Sequence, residues 1–378
     1  PGPDAHAPSD QVVTAPCPGG TWMPGALEIH HIDVGQADAA LIIGPTGRTL
    51  LIDVGEEISS NGEGARTVAR YVEQVVGCRR VDHVIVSHFH SDHLGAVGAS
   101  GLWSLVHQLG YEVGRTLHRD LTTYVGQAGT ILDGWRQYLR SEDGRMRLRP
   151  EIAREGTSQV DLGPGVTFRI LGVDGAGILR AGDFRSDTTP PNENDYSIAS
   201  VLRFGRFDYF TAGDLSGRFF ESTNGYTYHD IEREAARRAG DVDVYRANHH
   251  GSHSGSSALL LAEIDPEVSV VSCGRNNSYG HPDQGTMARL LGTSDVYLTQ
   301  RGDTRQAIGA AQVVGHVVIR TFDGVSYTVN GRPYAATDPV RPDVDGDGFF
   351  AESDPDDRNA ASVPPPTGGC DPRYQTCS

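Results

Sequence analysis

No apolar run in this 378-residue chain approaches the roughly 20 residues that a membrane-crossing helix needs, which excludes a transmembrane helix and a signal peptide in the chain as given. Positive charge is also short. There are 32 basic residues against 49 acidic ones, a net charge of −17, and the pI is near 5.2. That balance argues against a protein that grips nucleic acid through a broad basic surface. The five cysteines are an odd count, and none has the spacing of a structural zinc knuckle. Cys370 and Cys377 are close enough in a loop-rich terminus to pair, whereas Cys78 and Cys273 lie beside elements that read as buried and are expected to be free thiols. Aromatics are few at 7%, but the hydrophobic set at 38% still permits a core, and 47 glycines with 21 prolines indicate many turns and long loops.

What is abundant is ligand chemistry at strand ends. Val81-Asp82-His83-Val84-Ile85-Val86 reads as a buried strand, and it runs directly into Ser87-His88-Phe89-His90-Ser91-Asp92-His93. Imidazole and carboxylate side chains are ligands for Zn²⁺ and similar divalent ions. On an extended backbone His88 and His90 point the same way, while Asp92 and His93 fall in the following turn, within reach of a second ion. Three later groups share the pattern of apolar strand, glycine-containing turn and polar residue. Tyr209 to Gly213 delivers Asp214, which is placed to bridge two cations. Asp241 to Ala247 delivers Asn248-His249-His250-Gly251-Ser252. Val268 to Cys273 leads through a loop to Tyr279-Gly280-His281-Pro282. Sites assembled from several strand ends have this form, here that of a two-metal hydrolase.

These residues resemble the metallo-β-lactamase superfamily, whose HxHxDH signature is matched by His88, His90, Asp92 and His93. More narrowly they resemble the hydrolase domain of ComEC-type DNA-uptake proteins and their free-standing relatives. That resemblance also rests on His31-Ile32-Asp33-Val34-Gly35-Gln36-Ala37-Asp38-Ala39, on Leu51-Ile52-Asp53-Val54-Gly55, on the TGD-like Ala212-Gly213-Asp214, on the HHGS turn and on the Tyr-Gly-His-Pro turn. It spans about residues 26–330 and implies an α/β fold, a four-layer αββα sandwich. It further implies two divalent ions, Zn²⁺ or Mn²⁺, with a bridging hydroxide as nucleophile. His88, His90 and Asp214 are expected to hold one ion, and Asp92, His93, Asp214 and His250 the other. By resemblance to phosphocholine esterases, His249 is expected to contact substrate or support the ligands. Asp92 is expected to orient the hydroxide. His281, an imidazole titrating near the working pH, is expected to protonate the leaving oxygen. The wider superfamily places a further histidine before the bridging carboxylate. Here that stretch reads Asn192-Glu193-Asn194-Asp195-Tyr196-Ser197, with none, so Asn194 or Asp195 is expected to approach the site.

Three segments are expected: a flexible leader over 1–25 that includes Cys17 and could serve as a surface tether, a hydrolase domain over 26–332, and an acidic tail over 338–378. In the tail, Asp343, Asp345, Asp347 and Asp354 occupy positions one, three, five and twelve of a calcium loop with Gly348 and Gly346 among them, Gly346 at position four and Gly348 at six. Eight acidic and two basic residues between Asp338 and Arg358 carry six of the seventeen net negative charges. Within the domain, helices are expected over about 63–76, 102–110, 122–139, 230–239 and 284–291. The segment after the metal block carries Trp103, Tyr124, Trp135 and Tyr138, either core or substrate wall, and Arg115, Arg119, Arg136, Arg140, Arg145, Arg147 and Arg149, either a phosphate track or a solvated face.

The resemblance implies a phosphodiester substrate, with DNA as one candidate. Divalent ions can supply the positive charge that the acidic chain lacks. The rival expectation is a phosphocholine-esterase-like or lactonase-type hydrolase of a small ester. Leader, calcium loop and cysteine pair point to an exported protein, extracellular, at the cell surface or periplasmic.

Overall fold

The computed structural model describes residues 17, 19–56, 62–122, 129–175, 191–218, 220–221 and 227–336. The tail with Asp343, Asp345, Asp347 and Asp354, the Cys370 and Cys377 pair, and most of the leader lie outside the described residues, as does Tyr124.

Two sheets form the centre. The strands of the first are β1 (Leu27–His31), β2 (Ala40–Ile43), β3 (Thr49–Ile52), β4 (Arg80–Ile85), β5 (Glu112–His118) and β6 (Pro150–Ile152). The second takes β7 (Val166–Gly172), β8 (Ala199–Phe204) and β9 (Phe207–Thr211), followed in the chain by the small hairpin β10 (Phe220–Glu221) and β11 (Thr227–Tyr228). It is completed by β12 (Val244–Arg246), β13 (Val268–Val271), β14 (Asp295–Leu298) and β15 (Gln312–Val313). The chain then returns to the first sheet with β16 (Val317–Thr321), β17 (Ser326–Val329) and β18 (Arg332–Ala335). Strand order is β18-β17-β16-β1-β2-β3-β4-β5-β6 in one sheet and β15-β14-β13-β12-β9-β8-β7 in the other. β3 to β6 run parallel, as do β9 and β12 to β15.

Side-chain alternation explains the layering. In β2, Ala40 and Ile42 face the core between the sheets, where they meet Phe168, Leu202, Val244 and Val270. Leu41 and Ile43 face outward, onto the core that includes α1 (Glu63–Val76), α3 (Gly101–His107) and α4 (Thr130–Arg140). Between α1 and α3 lies the short turn α2 (Ser91–Leu94). Two-sided burial makes such strands continuously apolar rather than alternating. The second sheet is covered on its outer face by α6 (Glu232–Ala239), α7 (Ala258–Ile264) and α8 (Gln284–Leu291), through Ala235, Leu260, Leu261, Met287 and Leu290. The result is the helix–sheet–sheet–helix sandwich that the sequence implies.

Several local expectations change. Cys78 is not a free thiol; it is disulfide-bonded to Cys17, 61 residues earlier. That bond and the Trp22 N–H to Val75 O hydrogen bond (3.1 Å) dock the end of the leader on α1. Cys273 is free and buried. The helix expected from 122 begins at Thr130 and is followed by α5 (Glu142–Leu148). Trp135 and Tyr138 are core, and Trp135 Nε1 donates to Gly95 O (2.9 Å), two residues past His93. Of the arginines, Arg119 is fully buried against Glu193, while Arg115, Arg136 and Arg147 pair with Glu151, Asp133 and Asp143. Four of the seven arginines are thus engaged by local carboxylates, Arg119 out of reach of solvent. β5 and α7 went unread: β5 lacks a period-two pattern, and α7 shows itself only through its Ser257 cap, whose Oγ accepts from Leu260 N–H (3.2 Å).

Candidate metal centre

The site gathers beyond the carboxyl ends of β3, β4, β9, β12 and β13, where parallel strands leave their turns in one crevice. The turn after β4 is held by its backbone. Asp38 N–H donates to Asp92 O (2.9 Å), Val54 N–H to His93 O (2.8 Å) and Glu56 N–H to Ser91 O (3.2 Å). One buried carboxylate, Asp53, completes the support. Its Oδ1 accepts from Ser87 N–H (2.8 Å), and its Oδ2 accepts from the Ser87 hydroxyl (2.6 Å) and faces His93 Nδ1 at 2.8 Å. A carboxylate on Nδ1 turns Nε2 of such a ring toward a metal. Here His93 Nε2 lies 3.2 Å from Asp214 Oδ1.

Asp214 sits one residue past Gly213, whose φ is 51°. A side chain there would press within 2.8 Å of Ser197 and 3.2 Å of Ser87, so both backbone conformation and packing require glycine. Asp214 N–H donates to Ser197 Oγ (3.1 Å). The buried Arg246, last residue of β12, pairs with Asp38 and donates to Gly213 O, and its guanidinium is 3.8 Å from Asp214. His249 and His250 both adopt left-handed backbone at φ 53°. His250 Nδ1 donates to Ser272 O (2.9 Å), which leaves Nε2 as the lone-pair nitrogen, 3.3 Å from Asp92 Oδ2 and 3.7 Å from Asp214 Oδ2. His249 Nε2 is also 3.7 Å from Asp214 Oδ2. His88 Nε2 is 3.0 Å from His90 Nδ1 and 4.0 Å from Asp214 Oδ2.

These spacings suit cations. Bonds of about 2.0–2.1 Å in tetrahedral geometry separate ligand atoms by roughly 3.3 Å. One atom each from Asp92, His93, Asp214 and His250 lies within 4.8 Å of the others. His93 Nε2, Asp214 Oδ1 and His250 Nε2 are buried without a hydrogen-bond partner. Buried polar atoms are rarely left so, and a metal would satisfy all three. His88 Nε2 stands near both His90 and Asp214, but those three do not draw together into a comparable set.

Electrostatics agree. Burial opposes the charge on Asp214, but His93, His249 and His250 hold its carboxyl well below the usual range. Burial likewise opposes the Asp92 charge, and the neighbouring His250 and His93 together outweigh it and hold its carboxyl low. Burial, then the neighbouring His93, pushes His88 well below the ordinary imidazole value, favouring the neutral ligand form.

Burial, reinforced by His249 and His250, pushes the His281 pKa down to about 2, which opposes the expected proton-donor role. Its tautomer is set by Gln36. Gly274 N–H donates to Gln36 Oε1 (2.9 Å), which leaves the amide nitrogen facing His281 Nδ1 at 3.2 Å. Nδ1 therefore accepts, and the proton resides on Nε2. The carboxylate of Asp195 turns away to His229, accepting its backbone N–H (3.1 Å) and lying 2.9 Å from Nδ1. Its neighbour Glu193 supports the site instead. Arg119 grips it with two hydrogen bonds (2.7 and 2.6 Å), and Glu193 Oε1 accepts from Phe89 N–H (3.1 Å), between His88 and His90. Gln36, Asp38 and Asp53 lie within motifs already legible in the sequence. Nothing in the sequence marks Arg119, Glu193 or Arg246, whose partners are remote.

Comparison with known proteins fits this geometry. The curated relatives include Recombination protein 2 of Haemophilus influenzae, 39% identical over 273 residues, covering 71% of this chain and 26% of the relative. They also include ComE operon protein 3 of Bacillus subtilis, 21% identical over 281 residues, covering 70% and 30%. The chain thus spans about a quarter to a third of their length. Among solved structures, the metallo-β-lactamase-fold protein YhfI from Bacillus subtilis aligns with a TM-score of 0.42 and 13% identity, covering 72% of this chain and 95% of that one. Residues 32–275, which contain every residue of the β4 turn, Asp214 and the two adjacent histidines, match the model of the metallo-β-lactamase superfamily, and the chain belongs to that superfamily.

Proposed function

We propose that the protein is a metal-dependent phosphodiesterase acting on nucleic acid, an exported nuclease. The observation that carries this reading is the convergence of unpartnered ligand atoms from His93, Asp214 and His250 with Asp92, in a chain similar to competence and recombination proteins. Asp92, His93, Asp214 and His250 would hold one divalent ion, and His88, His90 and Asp214 the other, with Zn²⁺ or Mn²⁺ suited to such donors. Bound ions supply Lewis acidity toward phosphoryl oxygens and lower the pKa of water.

The chain's own residues supply orientation. Asp53 and Ser272 O set the rings of His93 and His250, and Arg246 offsets the clustered carboxylates. Asp92, a quarter turn from His93, is placed to orient the nucleophile. His281, neutral and with its proton on Nε2, is assigned as a hydrogen-bond donor to the departing oxygen rather than as a proton source. His249 is assigned a substrate contact at the bridging carboxylate. Export is supported by the Cys17–Cys78 disulfide. The tail over 338–378 is proposed as a separate calcium module on the spacing of its acidic residues; deleting it should lower calcium-dependent thermal stability and leave hydrolysis intact.

A panel of bis-p-nitrophenyl phosphate, single-stranded DNA, an acyl lactone and nitrocefin, run with defined metals, tests the reading. Diester and DNA cleavage should disappear on chelation and return with Mn²⁺ or Zn²⁺. Turnover of the lactone or nitrocefin without diester cleavage would sink it in favour of a carbonyl hydrolase.

A further inference from the structure

The loop that delivers His281 is tightly built yet presents a large ring to solvent. Asn277 is its clamp: Nδ2 donates to Gly274 O (2.8 Å) and His281 O (2.6 Å), and Oδ1 accepts from His281 N–H (3.0 Å). Asn276 N–H donates to Gly302 O (3.0 Å) and Asp303 N–H to His281 O (2.8 Å), so the loop is also pinned from the segment after β14. Between these anchors Tyr279 remains 64% exposed. Its ring stacks on His281, with centroids 5.8 Å apart and an interplanar angle of 26°. His281 in turn lies 6.0 Å from His250 at 21°. Three rings therefore stand in near-parallel file, from the metal-facing His250 to a tyrosine in water.

A file of this kind has a chemical meaning. A rigid exposed aromatic beside a hydrolytic centre offers a flat face to a planar group attached to the reacting bond. Every nucleobase has such a face, and stacking on tyrosine is tolerant of sequence. The loop also carries Arg275, exposed four residues before Tyr279, which suits an anionic chain rather than a quaternary ammonium group.

We propose that Tyr279 is the stacking platform for a base of single-stranded nucleic acid next to the diester being cleaved. This rests on the phosphodiesterase reading above and narrows it to a substrate with an unstacked base at that position. Tyr279 acts on binding, and the ring rather than the hydroxyl does the work.

The test compares the whole metal-loaded protein with Tyr279→Ala, Tyr279→Phe and Tyr279→Trp. Substrates are a single-stranded oligodeoxynucleotide, the same strand carrying abasic spacers in place of bases, and p-nitrophenylphosphorylcholine. Tyr279→Ala should raise KM for the normal strand about tenfold with little change in kcat, while Phe and Trp keep wild-type KM. On the abasic strand the wild type should already bind weakly, and Tyr279→Ala should add less than about twofold. An equal penalty on both strands would overturn the platform and make Tyr279 a prop for His281; no penalty on either would overturn the platform outright. A penalty confined to the choline ester would assign the ring to a quaternary ammonium group and overturn the base. If the wild type cleaves no diester at all, the phosphodiesterase reading fails and this inference with it.

Discussion

The two sheets deliver their site residues in opposite ways. The first concentrates them: His88, His90, Asp92 and His93 fall within six consecutive positions after β4, and Asp53 with three backbone hydrogen bonds holds that turn as a unit. The second sheet disperses them. Asp214, His250 and His281 leave three different strands, and each is held by a different remote partner: Ser197 and Arg246, Ser272, and Gln36. Gln36 comes from the first sheet's side, 245 residues away from His281 in sequence. A compact set stands or falls together. A dispersed set can lose one function at a time.

Substitutions can break or sharpen that contrast. The largest effect is expected at Asp214, the group proposed to serve both ions. Asp214→Ala should remove bound metal and reduce kcat/KM by about 10³-fold or more. Elemental analysis of purified protein checks it, and a variant that retains two ions and activity would dissolve the bridging assignment. Next is Arg119, which spans the two halves through Glu193. Arg119→Ala leaves a buried carboxylate uncompensated and should cost about 3–5 kcal/mol in denaturant unfolding. A loss under 1 kcal/mol would show that Glu193 does not need its partner.

Asp53 and Gln36 test the contrast directly. Asp53→Asn should weaken metal binding by about 10–100-fold, because the whole β4 turn depends on it. Gln36→Leu should keep both metals and slow turnover by about tenfold, since it frees the His281 tautomer and the Gly274 N–H but touches no expected ligand. Competition with a chelator separates the two, and metal loss in Gln36→Leu would make the second set as interdependent as the first. The smallest effect is expected at Arg147, whose pairing with Asp143 is largely exposed. Arg147→Ala should change stability by less than about 0.5 kcal/mol and leave DNA cleavage at wild-type rate. A marked loss of DNA cleavage would restore a phosphate-binding role to that face.

The sequence by itself determined the strands β3, β4, β9, β12 and β13 and the polar residues at their ends, and its motifs implied the sandwich by resemblance. Those features are local: an apolar run makes a buried strand, and the turn that follows displays its polar side chains in order. Helix α8, read from 284 to 291, fits for the same reason, since Asp283 caps it by accepting from Gly285 and Thr286 N–H. Only the tertiary structure decided which groups support the ligands. Glu193 braces the histidine loop, because Arg119 follows β5 to hold it, while Asp195 turns to His229. Cys78 is paired, because the leader crosses α1. Arg119 is buried because Glu193 and Asp174 meet it there, and burial with the neighbouring His249 and His250 pushes the His281 pKa down. Such outcomes depend on partners brought together from distant parts of the chain, and a ring nitrogen's role follows from the hydrogen bond its other nitrogen makes.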